Sequence, residues 1–88
     1  MKLQNVAVVS KFGSKIAEDA AKKVVKKIQK IKSKVYTVSP ITIAGAKTLE
    51  SLEDLKKTKL DLVITLGGDG TTLRTFRNLQ NETPILTI

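Results

Sequence analysis

The sequence predicts an α/β fold in three layers, a mostly parallel sheet with helices on both faces. Two observations predict it. Short runs of β-branched and aliphatic residues recur along the 88 residues, and stretches with the 3.6-residue apolar period of a helix separate them. Because strand and helix alternate throughout, neighbouring strands should run parallel, with right-handed crossovers.

The elements follow in order. The run NVAVVS, Asn5 to Ser10, has the β-branched character of a buried parallel strand. After Gly13, Ser14 is a candidate N-cap for a long helix whose apolar face is Ile16, Ala20, Val24, Ile28 and Ile31. KVYTVSP, Lys34 to Pro40, reads as a second strand ended by proline. A loop containing Gly45 leads to a shorter helix from about Leu49 to Lys57, capped by Thr48, with Glu50, Glu53 and Asp54 toward its start and Lys56 and Lys57 at its end. That order suits the helix dipole. DLVITL, Asp61 to Leu66, is a third strand; TTLRTFRNLQ, Thr71 to Gln80, a third helix; and TPILTI, Thr83 to Ile88, a fourth strand. No internal repeat, low-complexity tract or linker interrupts the pattern.

Composition bounds what such a chain can do. Eighty-eight residues allow one small domain, and with aromatics at 3% the core must be built from Val, Ile, Leu and Ala. The chain has no Cys and no His, so disulfides, thiolate chemistry and imidazole catalysis have no residues to work with. A general base here must be a carboxylate, Lys or Tyr. No run of about 18 apolar residues occurs, and the first residues do not form a signal peptide, which together read as a cytoplasmic protein. The segment ETPILTI ends inside an apolar strand, whereas terminal residues are usually polar and frayed. The chain therefore reads as the front part of a longer protein.

The net charge of +8 is concentrated: residues 11–34 hold nine Lys and two acids. A basic face of that density could hold nucleic acid or an anionic membrane. Yet Lys22, Lys23, Lys26, Lys27 and Lys30 fall opposite the apolar stripe, where an amphipathic helix puts its solvated residues. No aromatic is interleaved for base stacking, and the stretch has no Arg for bidentate contacts. The solvated-face reading is preferred, with neither nucleic acid nor membrane as partner.

The sharpest feature is DLVITLGGDGTT, residues 61–72, where an apolar strand breaks into three glycines around Asp69. A strand-turn-helix of this kind delivers its loop to the carboxyl edge of a parallel sheet, where open α/β folds bind ligands. Gly67 and Gly68 can adopt backbone angles closed to other residues and let a phosphate approach, with Thr71 placed to cap the following helix. The spacing matches neither G-x-G-x-x-G nor the P-loop, so those readings fail. Phosphoryl transfer to an alcohol explains the acid: the loop handles phosphate, while a carboxylate takes the proton of the acceptor hydroxyl or helps hold Mg²⁺ on the donor.

LGGDGTTLR, Leu66 to Arg74, preceded by LDLVIT and followed by TPILTI, resembles the NAD kinases. G-G-D-G-T also occurs in diacylglycerol and sphingosine kinases, and a related G-G-D-G-S in phosphofructokinases. The continuation into Leu73 and Arg74, in place of the Asn-Glu pair of the lipid kinases, narrows the resemblance. It covers Asp61 to Ile88 in sequence and the rest only in topology.

The resemblance implies a Rossmann-like or phosphofructokinase-like fold, residues 1–88 being the amino-terminal portion of a two-domain protein. It implies transfer of the γ-phosphate of ATP to the 2′-hydroxyl of the adenosine ribose of NAD, giving NADP. Asp69 would be the base that also contacts the ribose hydroxyl; Gly67, Gly68 and Gly70 would pass close to phosphates; Leu73 would line the NAD pocket. Thr71 and Arg74 are further nucleotide-binding candidates, though Thr71 is equally a helix cap and Arg74 equally a solvated residue. The implied small molecules are ATP, NAD and Mg²⁺, and no metal-ligating residue is assigned within the chain. A second, largely β domain with an Asn-Glu or Asn-Asp motif would bind NAD, so the chain would carry half a site and be inactive alone. When full length, the protein would form a homo-oligomer, a dimer or tetramer. A lipid kinase of the same superfamily and a small basic nucleic-acid-binding module stay open. The first needs an apolar acceptor surface, for which no exposed apolar segment is apparent; the second would bind with steep salt dependence.

Overall fold

The computed structural model describes residues 4–79 and 83–88. In chain order these form β1 (Asn5–Ser10), α1 (Lys15–Lys30), β2 (Lys34–Val38), β3 (Lys47–Leu49), α2 (Asp54–Lys57), β4 (Leu62–Leu66), α3 (Asp69–Arg77) and β5 (Ile85–Thr87). The strands make one sheet in the order β3-β2-β1-β4-β5, and every adjacent pair is parallel. The expected α/β class is what the chain adopts.

Two apolar layers hold the helices to the sheet. On one face, Val6 and Val8 of β1, Val35 of β2 and Ile64 and Leu66 of β4 pack against Ala17, Ala21, Val25 and Ile28 of α1. On the other, Ala7, Val9, Val38 and Val63 meet Leu55 of α2 and Leu79 just beyond α3. Each central strand thus spends alternate residues on opposite cores, which is why its sequence reads as an unbroken apolar run.

Ser14 caps α1 as expected, its Oγ accepting the Ala17 N–H at 3.2 Å. The expected apolar stripe needs correction. Ile16 and Ile31 are exposed, Ala20 and Val24 are only partly buried, and the line facing the sheet is Ala17, Ala21, Val25 and Ile28. The two lines meet at Ile28 and differ by one residue elsewhere; the helix is rolled so that its small alanines abut the strands, allowing closer approach than isoleucine would. The lysines 22, 23, 26, 27 and 30 are all exposed.

The expected helix from Leu49 with Thr48 as cap is also corrected. Lys47–Leu49 is β3, pairing Tyr36 with Lys47, Thr37 with Thr48 and Val38 with Leu49. The Thr37 and Thr48 hydroxyls lie 3.4 Å apart. The open edge of β2 supplies backbone partners to these three residues, which the first turn of a helix would leave unpaired. Only Asp54–Lys57 is helical, with Glu53 as N-cap. The third helix begins earlier than expected, at Asp69, and ends at Arg77, with Asn78 as its C-cap. Gln80, its expected last residue, lies outside the described residues.

One polar tie fixes the amino edge of the sheet. The Asp61 carboxylate accepts the backbone N–H groups of Gln4 and Asn5, each at 2.9 Å, and the Asp61 N–H donates to the Asn5 carbonyl at 2.8 Å. These backbone hydrogen bonds hold the Asp61 carboxyl below its ordinary pKa. The start of β1 is thereby pinned to the start of β4.

Candidate functional site

In the order β3-β2-β1-β4-β5 the chain leaves β1 for β2 on one side and later returns to β4 on the other. The carboxyl ends of β1 and β4 therefore flank a topological switch point, where the loops that follow them diverge and leave a crevice. Two loops meet there: residues 11–14 after β1 and Gly67–Gly68 after β4. The Lys11 N–H donates to the Leu66 carbonyl at 2.9 Å, extending the β1/β4 ladder one residue past the strand.

The glycines of the second loop differ in what they require. Gly67 has φ 121° and is packed so closely that a Cβ there would overlap the Lys11 Cβ. Gly68 has φ 102°, with open space around it, so its need is conformational. Gly70 sits within α3 and a Cβ there would meet nothing. The chain itself gives no reason for a glycine at that position.

Gly68 is the N-cap of α3 and has no side chain to bond the helix end. The first helical hydrogen bond runs from Thr72 N–H to the Gly68 carbonyl at 3.2 Å, which leaves the amides of Asp69, Gly70 and Thr71 without helical partners. Open amides at the positive end of a helix suit an anion. Asp69 is the first helical residue and is exposed. The turn is braced from behind: Thr72 Oγ1 donates to the Gly68 carbonyl at 3.2 Å and lies 3.0 Å from Thr65 Oγ1 of β4, which in turn donates to Thr87 Oγ1 of β5 at 3.3 Å.

Gly67, Gly68, Asp69 and Gly70 are thus exposed together on a single turn. Thr71 is not the cap. It is buried inside α3, and its carbonyl accepts the Thr75 hydroxyl at 2.7 Å, because the helix starts two residues before it. Leu73 and Arg74 are both exposed but diverge. Thr71 and Arg74 line a cleft of about 260 Å³ between α3 and the ends of β1 and β2, whose apolar walls include Val9, Phe12, Val38 and Leu52. Leu73 lies outside it.

The sequence reading did not single out Lys11 or Phe12, which the sheet order brings beside the glycine turn. No motif marks them; their one signal is position, directly after a strand at the carboxyl edge. Phe12, Ile16, Leu73, Phe76, Leu86 and Ile88 are all exposed, which corrects the expectation that apolar surface is lacking. Among the described residues no three His, Cys, Asp or Glu side chains converge on one point, so these residues build no metal cage. One carboxylate, Asp69, fits Mg²⁺ only as the companion of bound phosphates. Among the described residues no helix is long and apolar enough to cross a membrane.

No curated protein matches the sequence. A family model does: that of the ATP-NAD kinase N-terminal domain, over residues 3–88. It spans the strands, the glycine turn and the β1 loop alike, and the chain belongs to the ATP-NAD kinase N-terminal domain family.

Proposed function

We propose that this chain is the phosphate-handling half of an enzyme that transfers the γ-phosphate of ATP to the 2′-hydroxyl of the adenosine ribose of NAD. The observation that carries the proposal is the β4–α3 turn, where the open end of α3 and the exposed Asp69 carboxylate meet at the switch point. The amides of Asp69, Gly70 and Thr71 hold the donor phosphates by hydrogen bonding. The Asp69 carboxylate accepts a hydrogen bond from the ribose hydroxyl and takes its proton as the oxygen–phosphorus bond forms and the bond to the ADP oxygen breaks. Mg²⁺, entering with the nucleotide, supplies charge neutralisation on the phosphates, with Asp69 the carboxylate within this chain that would help hold it.

The remaining parts come from outside these residues. A second, largely β domain completes the NAD site, the full-length protein is a cytoplasmic homo-oligomer, and residues 1–88 alone form no measurable NADP. Leu73 lies on the acceptor side, with Thr71 and Arg74 on the nucleotide. The solvated lysines of α1 make nucleic acid an unsuitable partner, since they carry no interleaved aromatic.

The test is NADP formation by the product of the complete reading frame, supplied with NAD, ATP and Mg²⁺. Asp69→Asn should lower kcat by about 10²-fold or more with NAD affinity little changed. Turnover close to wild type in that variant would remove the acid from the mechanism.

A further inference from the structure

We propose that Thr65, Thr72 and Thr87 are positioning residues: their hydroxyls, as one connected group, tie the Gly68 carbonyl to the edge strand β5 and thereby set the direction of Asp69. That Asp69 is the base rests on the phosphotransfer reading; the hold on the turn has its own support.

The need for a hold comes from the turn itself. Asp69 follows two glycines and precedes a third, and Gly68, at φ 102°, has open space around it. Packing therefore does little to stop the peptide between Gly68 and Asp69 from rotating, since glycine tolerates backbone angles closed to other residues. The usual restraint at a helix start is a side-chain bond from the N-cap, and Gly68 has no side chain to make one. A reacting group misplaced by about 1 Å loses on the order of 10²-fold in rate. An acid set among glycines needs a restraint from elsewhere.

Thr72 supplies it from the other end of the first helical turn. Its backbone N–H and its hydroxyl both donate to the Gly68 carbonyl, each at 3.2 Å. A threonine bonding the carbonyl four residues back is ordinary in a helix; Thr75 does the same to Thr71 at 2.7 Å, and that bond stays within α3. Thr72 differs in what stands behind it. Its Oγ1 lies 3.0 Å from that of Thr65 and 3.5 Å from that of Thr87, and Thr65 donates to Thr87 at 3.3 Å. Thr65 and Thr87 are direct partners across the β4/β5 ladder. The carbonyl that starts α3 is thus connected through Thr72 to two strands of the sheet, and Asp69, three residues before Thr72, lies on the same side of the helix.

Packing does not ask for these hydroxyls. Thr65 is wholly buried in a strand whose other residues are Leu62, Val63, Ile64 and Leu66. Valine has the same branched shape and would fill that space with no polar atom to satisfy. A buried hydroxyl is stable only while its partners stay within bonding distance, so it fixes direction where an aliphatic group would not.

The product of the complete reading frame tests this, by steady-state NADP formation and by hydrogen exchange of peptides spanning residues 67–75. Thr72→Val removes the hydroxyl and keeps the branched shape. It should lower kcat about three- to tenfold, leave KM for ATP and for NAD within about twofold, and speed exchange in those peptides while β1 exchanges at the wild-type rate. Thr72→Ser should return both readouts to wild type, which a loss through misfolding would not allow. Thr87→Val, at an exposed position, should lower kcat in the same direction, and Thr72→Val with Thr87→Val should lose less than the product of the two single losses, because the hydroxyls act as one group. Thr37→Val is the control: Thr37 is equally buried, and its hydroxyl lies 3.4 Å from that of Thr48, on strands separated from β4 by β1, so kcat should not change. The proposal is overturned by wild-type kcat in Thr72→Val, by failure of Thr72→Ser to restore it, by independent losses in the Thr72 and Thr87 pair, or by an equal loss in Thr37→Val. If the wild-type enzyme forms no NADP, the phosphotransfer reading fails, and exchange alone decides the hold: unchanged rates in Thr72→Val and Thr87→Val overturn it.

Discussion

Replacing Gly70 by alanine separates what the fold needs from what a ligand needs. Gly70 is the second residue of α3, its φ is not left-handed, and a Cβ there meets no atom within 4 Å. Glycine within a helix is about 0.5–1 kcal/mol worse than alanine, so Gly70→Ala should stabilise the chain by that order. For a domain of this size, about 1 kcal/mol corresponds to roughly 4–8 °C in Tm, and a rise of about 2–8 °C is expected.

The effect on binding has the opposite sign. Side chains of a helix tilt toward its N-terminus, so the new methyl group stands in the space that the Asp69, Gly70 and Thr71 amides face. A phosphate oxygen must come within about 2.7–3.2 Å of an amide nitrogen to bond it, and a methyl group keeps it farther off. Losing one hydrogen bond to a charged group costs about 1.5–3 kcal/mol, or roughly 10- to 150-fold in kcat/KM for NADP formation. Thermal unfolding and steady-state kinetics read the two halves separately. A lowered Tm would show that the chain itself needs this glycine, and an unchanged kcat/KM would show that no phosphate passes there. Gly67→Ala is the contrast: with φ 121° and the Lys11 Cβ in the way, it should lose stability as well as activity.

Three further outcomes are expected. Converting Lys22, Lys26 and Lys30 together to Gln should leave the unfolding midpoint and turnover almost unchanged, because all three are exposed; a large loss of nucleotide affinity would place that face in the site. The Asp61 carboxyl has a lowered pKa in the folded chain, so its contribution is present above the ordinary carboxylate value of about 4 and disappears as pH falls through the lowered folded value. Urea unfolding should therefore show Asp61→Ala well below wild type at pH 6 to 7 and the gap closing toward pH 3; a gap that widens on acidification would refute the assignment. Ser10 is buried, and its Oγ has no hydrogen-bond partner among the described residues, so Ser10→Ala should keep or raise the urea midpoint, since an unsatisfied buried hydroxyl costs about 1–3 kcal/mol. A clear drop would mean that the hydroxyl is bonded.

How much of this was legible in the sequence follows from how local each determinant is. β1 and β4 could be read because strands buried on both faces carry unbroken apolar runs, and α1 because Ser14 sits where a cap must sit. β3 could not: three residues, Lys47 to Leu49, carry no period, and they become a strand only because β2 offers an open edge. The stripe on α1 was misplaced by one residue because two apolar lines run side by side there, and the choice between Ile16 and Ala17 is made by the sheet. In the site, the glycine turn was legible because backbone conformation demands glycine at Gly67 and Gly68. Lys11 and the cleft were not, because they depend on which strand lies beside which.

That dependence also answers the oddity of a carboxylate inside a turn suited to phosphate. The open amides of α3 point along the helix axis, whereas Asp69 shares its face with Thr72 and Leu73 on the side of β5. One residue thus offers its N–H to an anion and its side chain to a different neighbour. Starting the helix at Asp69 achieves this division. Had Thr71 been the cap, as the capping preference of threonine alone would place it, the helix would start at Thr72 and Asp69 would precede it, with its amide no longer among the open donors. Gly68, by serving as a cap without a side chain, sets the start three residues earlier, at Asp69. The carboxylate is therefore compatible with amides open to an anion, because it leaves their axis.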